Sequence, residues 1–311
     1  MTYNSTIIVT GGTSGLGLAT ALLVAEAHPE AQVVITGRHL PSDAIPKDVS
    51  NVMFHRVDLS TQACVRKAAS ELLAKDLAPI SALVLNAGMQ VLNEVKTDDG
   101  IEAMFAVNHV NQALLLALLA DKLKDDCRIV LISSSAHDPK QGRCSPHYIS
   151  AEDCARNPAG GADHKTGGLN RYGLSKLANV LFGYGLHDHA RRTNKGWISL
   201  VLDPGCMATG LYREGTDAGK EMDAFIRSDA AKQMPDLYTV EFTANTVLRL
   251  VDSEEFSDIE KSGKYYVADG AKEMPSGEQT QDKDLQKDLW DWTYNEVLDE
   301  NERSKWLGTK A

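Results

Sequence analysis

Thr6-Ile7-Ile8-Val9-Thr10-Gly11-Gly12-Thr13-Ser14-Gly15-Leu16-Gly17 is the stretch whose reading decides the fold. The run Thr6 to Thr10 is β-branched and reads as a buried strand; the glycines read as a turn and the apolar residues onward to His28 as a helix. Within such a unit each glycine has its own task. Gly11 permits a tight turn, Gly15 lets a pyrophosphate approach the backbone, and Gly17 lets the helix pack close to the sheet. A helix N-terminus offers free N–H groups and the positive end of its dipole, so the turn through Thr13, Ser14, Gly15 and Leu16 frames a site for phosphate.

A second stretch carries chemistry. Tyr172-Gly173-Leu174-Ser175-Lys176 places a phenol and an ammonium four residues apart, on one face of an expected helix. A neighbouring cation draws a phenol down from its usual value near about 10 toward working pH, where it can give and take a proton.

With both stretches in view, the chain resembles the short-chain dehydrogenase/reductase family, whose pattern is Thr-Gly-x-x-x-Gly-x-Gly near the start and Tyr-x-x-x-Lys in the second half. The motifs between fall in family order: Asn86-Ala87-Gly88 after an apolar strand, Asn108, Ser133-Ser134-Ser135 after the strand Arg128 to Ile132, and Pro204-Gly205-Cys206-Met207-Ala208-Thr209 after the strand Ile198 to Leu202. Thr97 to Glu102 leading into Val107-Asn108-His109, Gly263-Lys264-Tyr265-Tyr266, and the later Leu289-Trp290 look like the retinol dehydrogenase branch. Pro204 to Glu214 is also similar to protochlorophyllide reductases. The chain departs from the pattern at Leu85, and at Asn111 and Gln112 where the branch usually has Gly-His; these departures are expected to touch packing more than chemistry.

The resemblance implies a single-domain Rossmann fold over 1–311, a doubly wound parallel sheet of about seven strands with helices on both faces. The alternation of apolar strands with helical stretches agrees. Strands are expected near 6–10, 31–36, 52–57, 81–86, 127–133, 196–202 and 263–267. It also implies catalytic roles for Asn108, Ser134, Tyr172 and Lys176. Tyr172 would protonate a carbonyl oxygen as hydride arrives, Lys176 would hold the ribose and lower the tyrosine pKa, Ser134 would hydrogen-bond the alkoxide, and Asn108 would order a water. The cofactor contacts carried over are Gly11, Thr13, Ser14, Gly15, Leu16, Gly17, Arg38, Asp58, Leu59, Asn86, Ala87, Gly88, Tyr172, Lys176, Pro204, Gly205, Met207 and Thr209. At the end of the second strand, Arg38 stands where an acid would bind a ribose hydroxyl; its guanidinium fork suits a 2′-phosphate instead, which favours NADP(H).

Composition narrows the partners. The 311 residues carry 32 basic and 43 acidic side chains, a net charge of −11 with no basic run, which argues against nucleic acid. The apolar stretch Ala113 to Ala120 falls short of a membrane span, and the first strand follows Met1 closely, so a soluble cytoplasmic protein is expected. Five cysteines without Cys-x-x-Cys spacing suit a reducing compartment, and the histidines show no ligand spacing, so no metal is expected. His187 and His189 read as an exposed polar face.

Three segments are set apart: a proline-containing insertion 136–170, a flap 210–236, and an acidic helical tail 271–311. The insertion and flap are expected over a substrate cleft, with Met222, Phe225, Ile226 and Met234 as candidate lining. Trp290, Trp292 and Trp306 would pin a terminal amphipathic helix. In many relatives the helix after Asn108 and the helix of Tyr172 pair between subunits; an insertion lying across that face favours a monomer over a homodimer. The function expected is NADPH-dependent reduction of an aldehyde or ketone on a fairly apolar, even polycyclic, small-molecule substrate. The alternatives are reduction of a carbon–carbon double bond, and a cofactor-binding regulator without turnover.

Overall fold

Among the described residues one sheet of eight strands has the order β3-β2-β1-β4-β5-β6-β7-β8. β1 (Ser5–Val9), β2 (Ala31–Gly37), β3 (Val52–Arg56), β4 (Ile80–Leu85), β5 (Leu123–Ile132), β6 (Ile198–Asp203) and β7 (Lys264–Val267) are parallel. A two-residue β8 (Lys272–Glu273) lies antiparallel to β7. The structure is a computed structural model and describes residues 3–158, 164–207, 211, 221, 224–225, 227–231 and 236–308. Every residue of β1 and β6 is buried, as a parallel sheet covered on both faces requires.

The cover divides into two layers. On one face, α1 (Gly15–Ala27) and α6 (Val240–Asp252) pack against the sheet through residues such as Val24, Val247 and Leu250. On the other lie α2 (Gln62–Leu73), α3 (Asn111–Leu119), α5 (His164–Arg192), α7 (Lys283–Val297) and α8 (Glu300–Leu307). From β1 the chain moves outward to β2 and β3, then returns to β4 on the other side of β1. The connections at the carboxyl ends of β1 and β4 therefore diverge and leave a crevice.

The seven expected strands are all present, with the two-residue β8 added at the edge of the sheet. The structure corrects three other sequence expectations. The apolar stretch around Ala113 to Ala120 belongs to a longer helical run, Ala103–Lys122, of 20 residues, long and apolar enough by length and composition to cross a membrane; 78% of its most apolar window is buried inside the protein. The insertion is not one loop: it contains the turns Ser135–His137 and Pro139–Gln141, the short helix α4 (Ala151–Arg156) and the start of α5. Finally, His189 is not on an exposed face. It is 2% exposed and stacks on Trp306 at 4.5 Å between ring centroids, with Trp290 at 5.1 Å.

That aromatic cluster fixes the tail. Trp290 on α7 and Trp306 on α8 are buried against α5, and α7 also packs on α3 and α4. A capping box at Asp299 and Glu302 starts α8. Among the described residues, α3 packs against α2 and the tail helix α7.

Candidate active site

A cavity of about 720 Å³ opens along the carboxyl ends of the strands, from Arg38 and Asp58 at one end to Leu211 and Phe225 at the other. Its walls include Gly11, Thr13, Ser14, Gly15, Leu16, Gly17, Leu59, Asn86, Ala87, Gly88, Ser134, Tyr172, Lys176, Pro204, Gly205 and Met207. Thr209, with Met222, Ile226 and Met234 of the flap, lies outside the described residues. Phe225 is described; it is exposed and lines the cavity. Asn108 stands just behind the wall, 1% exposed.

The first end is shaped by backbone. Gly11 and Gly15 have φ of +63° and +53°, which only glycine adopts without strain. A Cβ on Gly17 would stand 2.4 Å from both Asn86 Nδ2 and Gly11 O, so the glycine is what lets α1 start against the Asn86 loop. Ser14 occupies the N-cap of α1 without turning its hydroxyl onto the helix. The first-turn N–H groups therefore face the cavity without a side-chain cap, as a bound pyrophosphate requires. A dinucleotide fits this end: glycine backbone for its phosphates, Asp58 and Leu59 at one side, and Arg38 beyond β2.

Thr10 ties the two loops together. Its hydroxyl accepts from the backbone N–H of Asn86 (2.9 Å) and of Ala87 (3.0 Å), and donates to Gln112 Oε1 at 2.7 Å. Gln112 in turn donates to Ala87 O (2.8 Å) and Asn108 O (3.1 Å), while Asn111 donates to Leu59 O (2.8 Å). Two of the three residues at which the chain departs from its branch, Asn111 and Gln112, thus hold the loops that carry Leu59 and Ala87. Their amides are fully buried, and each hydrogen bond compensates for desolvation that would otherwise cost about 1–3 kcal/mol.

Farther along the cavity, Asn108 lies in a π-helical turn, Ala106–Val110, and its side chain reaches α5. Its Oδ1 accepts from Met89 N (2.8 Å), and its Nδ2 donates to Met89 O (3.0 Å) and Ser175 Oγ (2.9 Å). Tyr172 and Lys176 sit one turn apart on α5, both buried, with Lys176 Nζ 5.6 Å from the centre of the Tyr172 ring. Lys176 Nζ donates to Ile132 O at 3.1 Å. Burial pushes its pKa down to about 8, opposed by the charge of Asp203. A Cβ on Gly88 would lie 3.4 Å from both Lys176 Nζ and Asn108 Oδ1, so the Asn86-Ala87-Gly88 loop closes directly over these groups.

Ser134 is half-buried in extended backbone at the end of β5, where its hydroxyl accepts from Ala136 N at 3.2 Å. Its neighbour Ser133 is buried and donates to Lys176 O (2.8 Å), fastening α5 to the strand. Asp203, the last residue of β6, went unmarked in the sequence. Its buried carboxylate accepts from Gly205 N at 3.0 Å and also takes hydrogen bonds from Ser135 N and the Tyr265 hydroxyl, bracing the serine turn and the Pro204 turn together. Burial raises its pKa, and those hydrogen bonds oppose the rise. An acid just before Pro-Gly at a strand end was the signal available.

The far end is lined by side chains from separate segments: Met89, Val95, Arg143, Cys144, Leu169, Leu211 and Phe225. Arg143 pairs with Asp236 and hydrogen-bonds Cys206, whose thiol burial pushes up while Arg143 opposes. Cys206 is nearly buried and also borders the cavity. The Pro204 to Glu214 likeness to protochlorophyllide reductases gains little here, since 208–210 and 212–214 lie outside the described residues. Among the described residues no group of three metal-binding side chains occurs.

The family model for short chain dehydrogenase matches residues 5–151, the part that holds the glycine turn, Asn86-Ala87-Gly88, Asn108 and Ser134. The chain belongs to the short-chain dehydrogenase/reductase family. Within it the relatives are of the retinol dehydrogenase-like branch: human retinol dehydrogenase 13 is 28% identical over 304 residues, covering 92% of this chain and 82% of that protein. The Brassica napus short-chain dehydrogenase TIC 32 A, chloroplastic, is 31% identical over 67% of this chain and 65% of its own length. Across that plant protein, its close counterpart and two fungal dehydrogenases, this chain spans 55 to 65% of the relatives' lengths. Among solved short-chain dehydrogenases, the NADPH-bound carbonyl reductase from chicken fatty liver has the same fold, with a TM-score of 0.60 and 18% identity over 89% of this chain and all of that one. Two relatives are chloroplastic by name, so the relatives lend no support to a cytoplasmic address.

Proposed function

We propose that this chain, read as one dehydrogenase domain over 1–311, is an NADPH-dependent reductase of an aldehyde or ketone on a fairly apolar, even polycyclic, substrate. The observation that carries the reading is the convergence of Ser134, Tyr172 and Lys176 on one cavity whose opposite end holds Arg38. The dinucleotide, when bound, supplies the hydride. Tyr172 gives the proton to the carbonyl oxygen, and Ser134 donates a hydrogen bond to the same oxygen as charge develops on it. Lys176 keeps a positive charge beside the phenol up to pH about 8 and meets the ribose. Because the Asn108 side chain is engaged by Met89 and Ser175, its part in ordering a water falls to its backbone carbonyl, which Gln112 already orients. Arg38 takes the 2′-phosphate, and Met89, Val95, Leu169 and Phe225 supply an apolar wall for the substrate.

Following NADPH absorbance across a library of aldehydes, ketones and enones tests the reading. Oxidation of NADPH by carbonyl compounds is expected. Turnover of enones alone would favour the double-bond reaction, and tight NADPH binding without any turnover would leave a regulator. The reading extends to a monomer, supported by the tail lying on α3 and α5. Light scattering at micromolar concentration should give a single-chain mass, and a dimer that survives dilution would reverse this.

A further inference from the structure

One buried titratable group faces the catalytic serine from behind and has no part in the steps above. His137 is 2% exposed, and its Nδ1 lies 2.7 Å from Ser134 O. Its Nε2 lies 2.9 Å from the backbone nitrogen of Gly277. A backbone N–H can only donate, so Nε2 is the acceptor, and the ring proton must sit on Nδ1 and point at the Ser134 carbonyl. The imidazole is thereby neutral and held in one tautomer. Burial also pushes its pKa below the ordinary histidine value.

The ring is held on every side. Tyr265 packs on it at 4.9 Å between centroids and sends its hydroxyl to Asp203, whose carboxylate accepts from Ser135 N. The serine turn is therefore held at the Ser134 carbonyl, which accepts from the backbone N–H of His137 at 3.1 Å as well as from its ring, and at the Ser135 N–H by Asp203. Gly277 comes close because it lacks a side chain. A Cβ there would meet Asp138 Cβ at 3.2 Å and His137 Cδ2 at 3.3 Å. From Gly277 the chain passes through the turn Glu278–Gln281 into α7, so the same imidazole joins the tail to the serine.

We propose that His137 is a positioning residue: its Nδ1–H fixes the Ser134 carbonyl, and so the Ser134 hydroxyl, while the Gly277 N–H on its Nε2 holds the ring in the tautomer that can do so. The proposal rests on the reading of Ser134 as the group that binds the substrate oxygen. Two near-isosteres separate its halves. In His137→Asn the amide nitrogen can replace Nδ1 and keep the donor to Ser134; in His137→Gln the amide oxygen can replace Nε2 and keep only the acceptor for Gly277.

With NADPH and para-nitrobenzaldehyde, His137→Asn should keep kcat close to wild type, whereas His137→Gln should lose about tenfold or more in kcat. The dissociation constant for NADPH, measured by fluorescence, should be unchanged in both. NMR of the imidazole nitrogens gives a readout independent of turnover, and should show His137 as the neutral Nδ1–H tautomer. An Nε2–H tautomer or an imidazolium at neutral pH would overturn the proposal, as would His137→Gln turning over like wild type beside a crippled Ser134→Ala. Equal losses in both histidine variants would show a merely structural role and overturn it too. Ser134→Ala at the wild-type rate would remove the reading of the serine, and the proposal with it.

Discussion

At the dinucleotide end of the cleft the backbone does the shaping, through glycines with positive φ, an uncapped helix start and the short stretches that directly follow β1, β2, β3 and β4. At the substrate end the wall is made of side chains from β4's following loop, the insertion and the flap, steadied by contacts from a tail more than a hundred residues downstream of the serine it helps to hold, such as Gly277 on His137. The first kind of site leaves a motif, because only glycine or a fixed spacing satisfies the geometry. The second leaves almost none, because many side chains could fill the same space.

The contrast can be broken most sharply at Tyr172. Tyr172→Phe removes one oxygen from a residue shared by both ends, and should lower kcat about a thousandfold while the NADPH dissociation constant stays near wild type. Stopped-flow turnover and fluorescence titration check the two halves of that statement, and wild-type turnover would falsify the proton-donor role.

Trp306→Ala tests whether the substrate end depends on the tail. Emptying the space of a buried ring stacked on His189 should destabilise the fold by about 3 kcal/mol, read by urea denaturation. Loss of activity before global unfolding would sharpen the link from the tail to the serine.

The same cluster predicts acid sensitivity. His189 and His109 are held neutral by burial, with pKa values pushed down to about 4 and about 3. Unfolding lets them take up protons near pH 6.5, so stability is fully present above that value and is lost as pH falls toward the folded values. The loss is about 1.4 kcal/mol per pH unit for each histidine at most. Urea midpoints at pH 7.0, 6.0 and 5.0 should fall steadily; a flat series in His109→Gln, His189→Gln would assign the effect to these rings.

The smallest expected effect is at the far dinucleotide end. NADPH should bind at least tenfold more tightly than NADH, or about 1.4 kcal/mol, and Arg38→Asp should reverse the order with little change in stability. Equal affinities in the unmodified protein would mean that the 2′-phosphate is not read by Arg38.

What the sequence determined by itself was the part written locally. The β-branched run with its glycines specified β1, the phosphate turn and α1; the strand–helix alternation specified a parallel sheet; and the four-residue spacing placed Tyr172 and Lys176 on one face of α5. Each follows from a backbone constraint or a helix period that neighbouring residues reveal. Only the tertiary structure decided that Gln112 and Asn111 would hold the loops at Ala87 and Leu59, that His189 would be enclosed by tryptophans, that the tail would pack on α3, and that Gly277 would reach His137. These are contacts between segments far apart in the chain, 140 residues for Gly277 and His137 and more for the tail on α3. A buried amide or imidazole is placed by whichever carbonyl or N–H the fold brings within reach, and no period or spacing along the chain records that.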